Sequence, residues 1–134
     1  MSKKQILLVE DNHIDCKAVG RALKDCYSAA ELEIRTDGLA AMELLEAGNY
    51  HPDLILLDIK LPKLSGHDIL KWLRKRTKTK KVPVVILTSS DEPKDISSSY
   101  ALGANSFVQK PDNFDVFAKR ICQVAKYWLD VNLA

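Results

Sequence analysis

The sequence predicts a doubly wound α/β fold, a five-stranded parallel sheet in which each strand is followed by a helix, (βα)5, with helices on both faces. Three observations lead there. The runs ILLV at 6–9, LILL at 54–57 and VVIL at 84–87 are apolar at successive positions, as strands are when both faces are covered. Stretches with apolar residues at helical spacing lie between these runs. Residues that cap or break helices stand at the ends of those stretches.

The elements follow in order. After the first strand, Asn12 is placed to cap a helix whose apolar positions include Ile14, Ala18, Val19, Ala22, Leu23 and Cys26. A weaker strand pattern covers Leu32–Thr36. Asp37-Gly38 opens a second helix carrying Leu39, Met42, Leu45 and Ala47, which Gly48-Asn49 stops. The third strand, LILL, leads to a helix that starts at Ser65 or Gly66 and presents Ile69, Leu70 and Leu73. VVIL is followed by a helix from Glu92-Pro93 to Leu102-Gly103. A short strand at Ser106–Val108 precedes the last helix, from about Asn113 through Phe114, Phe117, Ile121, Val124 and Trp128. No internal repeat, linker or low-complexity segment interrupts this alternation, so residues 1–134 read as one domain.

The bulk properties exclude several classes. Hydrophobic residues at 46% and charged residues at 28% are ordinary for a globular chain of 134 residues, long enough to bury a core. A formal charge of +2 does not by itself imply nucleic acid or a membrane surface. The longest apolar runs are four residues, where a membrane span needs about 20, and MSKKQ leads into too short a run for a signal peptide. Cys16, Cys26 and Cys122 are odd in number and lack C-x-x-C spacing. They read as free, partly buried thiols of a cytoplasmic protein.

In open parallel sheets, ligands sit beyond the carboxyl ends of the strands, near the switch in strand order. The residues at those ends are Glu10 and Asp11, Asp58, Thr88 with Ser89 and Ser90, and Lys110 followed by Pro111. Carboxylates brought close together repel unless a cation joins them. An all-oxygen set points to a hard ion, Mg²⁺; His13, His51 and His67 lie outside the cluster, which argues against zinc. A hydroxyl and a lysine beside a metal suit a transferring phosphoryl group, with one carboxylate as nucleophile forming an acyl phosphate.

The segments ILLVEDN (6–12), DG (37–38), PDLILLDIKLPKLSG (52–66), PVVILTSS (83–90) and ALGANSFVQKP (101–111) resemble, in this order, a response-regulator receiver domain of two-component signalling. The end FDVFAKRICQVAKYWL (114–129) is similar to the stand-alone regulators paired with bacterial phytochromes. The resemblance implies the flavodoxin-like receiver fold and a set of roles. Asp58 would accept the phosphoryl group from a sensor histidine kinase. Asp11, Asp58 and the Lys60 backbone carbonyl would ligate Mg²⁺, with Glu10 acting through water. Thr88 and Lys110 would contact the phosphoryl oxygens, and the Lys110–Pro111 bond would be cis. Phe107 matches an aromatic switch position that moves with Thr88, although a core aromatic remains the competing reading. Kinase recognition would fall on Ile14, Asp15, Ala18, Val19 and Ala22, and on Pro111-Asp112.

Departures and rival readings complete the picture. Glu10 stands where many receivers carry Asp, and Phe107 lacks the hydroxyl of the commoner tyrosine. Lys60, two residues after the acceptor, is expected to hinder the hydrolytic water and slow autodephosphorylation. A haloacid-dehalogenase-type phosphatase would want an Asp at position 60, where this chain has lysine. A phosphate-independent adaptor with the same fold is the alternative. Six of the eight residues from Arg74 to Lys81 are basic, which fits a solvated helix end or a nucleic-acid patch. Trp72 fits the edge of the core or a partner contact. The apolar end, Trp128, Leu129, Val131 and Leu133, either frays or joins the fourth helix, fifth strand and fifth helix in a homodimer face. No residues are left for a DNA-binding output domain, so output is expected through protein contact or a downstream phosphotransfer protein, with no DNA or membrane partner.

Overall fold

The computed structural model describes residues 3–133. Its strands are β1 (Lys4–Val9), β2 (Ala30–Arg35), β3 (Leu54–Leu57), β4 (Val84–Thr88) and β5 (Ser106–Gln109). The helices between and after them are α1 (His13–Cys26), α2 (Gly38–Glu46), α3 (Gly66–Lys75), α4 (Pro93–Ala101) and α5 (Phe114–Lys126). All strand pairs are parallel, in the order β2-β1-β3-β4-β5. The chain leaves β1 for β2 on one side and later fills β3 on the other, so the switch in strand order lies between β1 and β3.

The burial pattern explains why three strands read as unbroken apolar runs. Alternate side chains enter opposite layers. Ile6, Leu8, Leu54, Leu56, Val85 and Leu87 pack with Val19, Leu23, Phe117 and Ile121 of α1 and α5. Leu7, Val9, Ile55, Leu57, Val84 and Ile86 pack with Ala41, Leu45, Ile69, Leu70 and Leu73 of α2 and α3. Edge strand β2 keeps a two-residue alternation, Leu32 and Ile34 packing inward between Glu31 and Glu33.

The helix starts follow local chemistry. Asn12 accepts from the Asp15 N–H at 3.0 Å, Asp37 from Ala40 at 2.8 Å and Asn113 from Val116 at 3.1 Å. Ser65 accepts from the Asp68 N–H at 3.1 Å, which sets the start of α3 at Gly66. Each bond satisfies a donor that the first turn leaves unpaired.

The basic stretch after α3 is partly structural. Arg74 donates to the carbonyls of Gly103 at 2.9 Å and Val82 at 2.8 Å and to Asn105 Oδ1 at 2.8 Å, tying α3 to the entries of β4 and β5. Gly103 (φ +105°) is needed there, because a Cβ would sit 2.9 Å from the Arg74 side chain. Trp72 packs at the edge of the α2–α3 layer with the Arg76 guanidinium 4.4 Å over its ring.

Two expectations are corrected here. Cys26 and Cys122 are disulfide-bonded, and only Cys16 is free. The reason is the lateral packing of α1 on α5, which brings their Cα atoms to 6.1 Å across 96 residues of sequence. The chain also continues beyond α5 in a π-helical turn, Tyr127–Val131. That turn buries Leu129 in the α1–α5 layer, half-buries Trp128, and leaves Val131 63% exposed. Leu129 is therefore core rather than part of an associating surface.

Candidate functional site

The site lies where the C-terminal ends of β1, β3, β4 and β5 open into a cleft of about 570 Å³. Each wall is placed by the backbone. Glu10 follows β1 and donates its N–H to the Arg35 carbonyl at 3.0 Å. Asp58 follows β3, and its N–H donates to the Val9 carbonyl at 3.1 Å, so Glu10 is tied to the end of β2 and Asp58 to the end of β1. The Lys110 N–H donates to the Thr88 carbonyl at 2.7 Å and brings the lysine to the hydroxyl strand.

The loop after Asp58 is built on a missing side chain. The Gly66 N–H donates to the Ile59 carbonyl at 2.7 Å. A Cβ on Gly66 would lie 2.1 Å from the Asp58 carbonyl oxygen and 2.7 Å from Ile59 Cα. Only glycine lets α3 start this close beneath the loop that follows Asp58. Within the loop Lys63 takes φ +71°, and the Lys60 N–H donates to Asp58 Oδ1 at 3.3 Å.

Glu10, Asp11 and Asp58 bring carboxylate oxygens within 4.8 Å of one another. Glu10 is 1% exposed, Asp58 is buried and Asp11 is open to solvent. Burial pushes the Glu10 carboxyl up to about 7; the Lys110 hydrogen bond opposes this and the Asp58 charge adds to it. Lys110 is the internal counter-charge. Its ammonium donates to Glu10 Oε1, to Asp15 Oδ2 at 2.8 Å and to Asp58 Oδ2 at 3.2 Å. Burial alone would lower its pKa, but the hydrogen bonds to Asp15 and Glu10 and the charge of Asp58 carry it above the usual lysine value.

A triad of oxygen donors, two buried and one open to solvent, with a raised carboxyl is chemically suited to a divalent cation, which would hold all three groups ionised. Glu10, Asp11 and Asp58 are the side chains that would hold it. Thr88, Ser89 and Lys60 line the same cleft.

The sequence-assigned residues divide into those at the cleft and those elsewhere. Glu10, Asp11, Asp58, Lys60, Thr88 and Lys110 line it together, as do Ile14 and Asp15. Phe107 is half-buried against the α2–α3 layer, and its N–H donates to the Tyr100 hydroxyl at 3.1 Å. Ile14 is 77% exposed and Asp112 is open, whereas Ala18, Val19 and Ala22 are buried. Those three cannot form a recognition surface; at helical spacing they are the stripe of α1 that packs on the sheet. Among the described residues no peptide bond is cis, so the Lys110–Pro111 bond is trans, the isomer intrinsically preferred. Sequence reasoning missed the Asp15–Lys110 contact. Its signal was an acid in the first turn of α1, four residues after Asp11.

A five-stranded sheet of order 2-1-3-4-5 with three acids and a lysine at its carboxyl edge defines the receiver class of α/β proteins. The chain matches the response regulator receiver domain family over residues 6–122, and it belongs to that family. It is 39% identical over 132 residues to the response regulator Rcp1 of Synechocystis sp., covering 95% of this chain and 90% of that protein. Its fold superposes on the phosphorylated cyanobacterial phytochrome response regulator RcpA with a TM-score of 0.93 at 33% identity, covering 98% of this chain and 97% of that one. The Mn²⁺-bound form of Rcp1 gives 0.90 at 36% identity, with 97% of each chain covered.

Proposed function

We propose that this protein is a phosphorylation-controlled switch: a sensor histidine kinase passes a phosphoryl group to Asp58, and the altered molecule signals by protein contact. One observation carries the reading. Glu10, Asp11, Asp58 and Lys110 converge at one sheet edge in a receiver-family chain. An Asp58 oxygen attacks the phosphorus of a phosphohistidine, the P–N bond breaks, and the imidazole nitrogen keeps the electron pair. The product on the chain is an acyl phosphate.

A divalent cation, Mg²⁺ under ordinary cellular conditions, offsets charge on the transferring oxygens when bound. Asp11 and Asp58 would hold it together with the Lys60 carbonyl, and Glu10 would act through water. The Mn²⁺-bound form of Rcp1 supports a divalent cation in this role. Lys110 balances the remaining phosphoryl charge, and the Thr88 hydroxyl donates to a phosphoryl oxygen. Thr88 and Phe107 relay the change toward α4 and β5.

RcpA is a phytochrome response regulator, which supports a phytochrome-type kinase as donor, acting in the cytoplasm. Ile14, Pro111 and Asp112 form the recognition surface beside the cleft. Val131, with the outer edge of Trp128, is the contact between two copies, and a downstream phosphotransfer protein is the further partner.

The test is incubation with acetyl phosphate, with and without Mg²⁺, followed by intact mass. Wild type should gain a labile, Mg²⁺-dependent phosphoryl adduct that Asp58→Asn lacks. An adduct of equal yield in Asp58→Asn would reject Asp58 as the acceptor.

A further inference from the structure

The three N–H donors of the Lys110 ammonium meet three carboxylates, and only two of those belong to the cation triad. Glu10 and Asp58 are shared with the metal position, whereas Asp15 stands outside the set that comes within 4.8 Å. We propose that Asp15 is a positioning residue, the metal-independent anchor that keeps the Lys110 ammonium at the acceptor after a divalent cation has drawn Glu10 and Asp58 to itself. This rests on the reading of Asp58 as phosphoryl acceptor.

The need for such an anchor follows from elementary electrostatics. A divalent cation entering among Glu10, Asp11 and Asp58 repels a neighbouring ammonium and competes for two of its three acceptors. Lysine carries its charge on a flexible four-carbon stem, and the site opens to solvent, so an ammonium with no other partner swings out. Asp15 prevents this from a fixed base. Its N–H is bonded to the Asn12 cap at 3.0 Å, which locks the first turn of α1, and its carboxylate reaches the ammonium at 2.8 Å. At the other end, the root of the lysine is fixed by the 2.7 Å bond from its N–H to the Thr88 carbonyl.

Held by one charge-assisted bond to Asp15, the ammonium has its other two donors free for phosphoryl oxygens. Asp15 is only partly exposed, with 27% of its side chain accessible, and it is directed into the cleft. That orientation favours a role inside the site over one as a docking residue for the kinase.

The experiment uses the full chain as wild type, Asp15→Asn and Asp15→Ala. The ¹H–¹⁵N signal of the Lys110 ammonium is assigned by its loss in Lys110→Arg and recorded in EDTA and in saturating Mg²⁺. The rate of phosphorylation by acetyl phosphate is measured alongside. A small donor makes no protein contact, so a kinase-docking role for Asp15 leaves this rate unchanged. Both variants remove the negative charge from the first turn of α1, but only asparagine retains an oxygen that can accept from the ammonium, so recovery in Asp15→Asn separates positioning from a helix-end effect.

The signal should be present in EDTA for all three proteins. In Mg²⁺ it should persist in wild type and Asp15→Asn but disappear in Asp15→Ala through exchange with water. Phosphorylation of Asp15→Ala should be slower by about tenfold, the scale of one lost hydrogen bond to a charged group, with partial recovery in Asp15→Asn. An ammonium signal that survives Mg²⁺ in Asp15→Ala, or a rate within about twofold of wild type, overturns the proposal. If wild type accepts no phosphoryl group, the proposed function fails, while the ammonium signal still decides the role of Asp15.

Discussion

Replacing Gly66 with alanine tests the packing that presents the acceptor. The new Cβ would lie 2.1 Å from the Asp58 carbonyl oxygen, 2.7 Å from Ile59 Cα and 2.9 Å from the Asp58 carbonyl carbon. All three neighbours are backbone, so no side chain can rotate away, and the Asp58–Ile59 peptide must recede by ~1 Å. Overpacking of this kind costs about 1–3 kcal/mol. Weakening the 2.7 Å bond from the Gly66 N–H to the Ile59 carbonyl adds about 1 kcal/mol. Alanine's better helix propensity returns at most about 1 kcal/mol. The net loss is then about 1–3 kcal/mol, and for a chain of this length each kcal/mol lowers Tm by about 3–5 °C.

Thermal unfolding of Gly66→Ala should therefore show a Tm lower by about 3–15 °C, and urea unfolding a matching loss of about 1–3 kcal/mol. Because the displaced Asp58–Ile59 peptide lies between the Asp58 carboxylate and the Lys60 carbonyl, Mg²⁺ titration should also show weaker binding. Stability within about 0.5 kcal/mol of wild type, with unchanged Mg²⁺ affinity, would refute the claim that α3 fixes the acceptor loop.

Three further predictions concern the charges. Glu10 titrates near 7 in the folded protein and near its ordinary 4.5 when unfolded. The folded state therefore binds the extra proton between those values. Its contribution, on the order of 3 kcal/mol, is complete below pH 4.5 and is lost as pH rises to about 7. Mg²⁺ affinity should climb over the same window and level off above it, and Glu10→Gln should flatten both profiles in urea unfolding and calorimetry. Lys110→Met removes the counter-charge of buried Glu10 and Asp58, so in EDTA it should cost about 3 kcal/mol. Mg²⁺ should restore much of this, and an equal loss in both buffers would contradict the electrostatic account. Phosphoryl loss from Asp58 should be slow and accelerate several-fold in Lys60→Asn, followed by the decay of the intact-mass adduct.

The sheet was legible in the sequence because burial on both faces writes itself as unbroken runs such as LILL and VVIL, with Asn12, Asp37, Ser65 and Asn113 marking the helix starts. The residues at the strand ends were legible for a related reason, since a parallel sheet delivers them to one edge whatever the details of packing. What escaped reading depends on contacts between distant segments. Val19 and Ala22 follow the inward stripe of α1, a fact the helical spacing already held but the surface assignment overrode. The pairing of Cys26 with Cys122 depends on α1 lying against α5, and no local spacing records that. The role of Arg74 emerges only when Gly103, Val82 and Asn105 are seen around its guanidinium. Asp15 reads as one of the kinase-recognition residues on the first helix until Lys110 arrives from 95 residues away.

The central claim is that Asp58 carries the phosphoryl group. Borohydride reduction of the protein phosphorylated in Mg²⁺, followed by peptide sequencing in the mass spectrometer, locates an acyl phosphate as homoserine. Homoserine at position 58, absent without Mg²⁺, is the predicted result. Homoserine at another aspartate, or 5-hydroxynorvaline at a glutamate such as Glu10, with Asp58 unmodified, would place the phosphoryl group elsewhere.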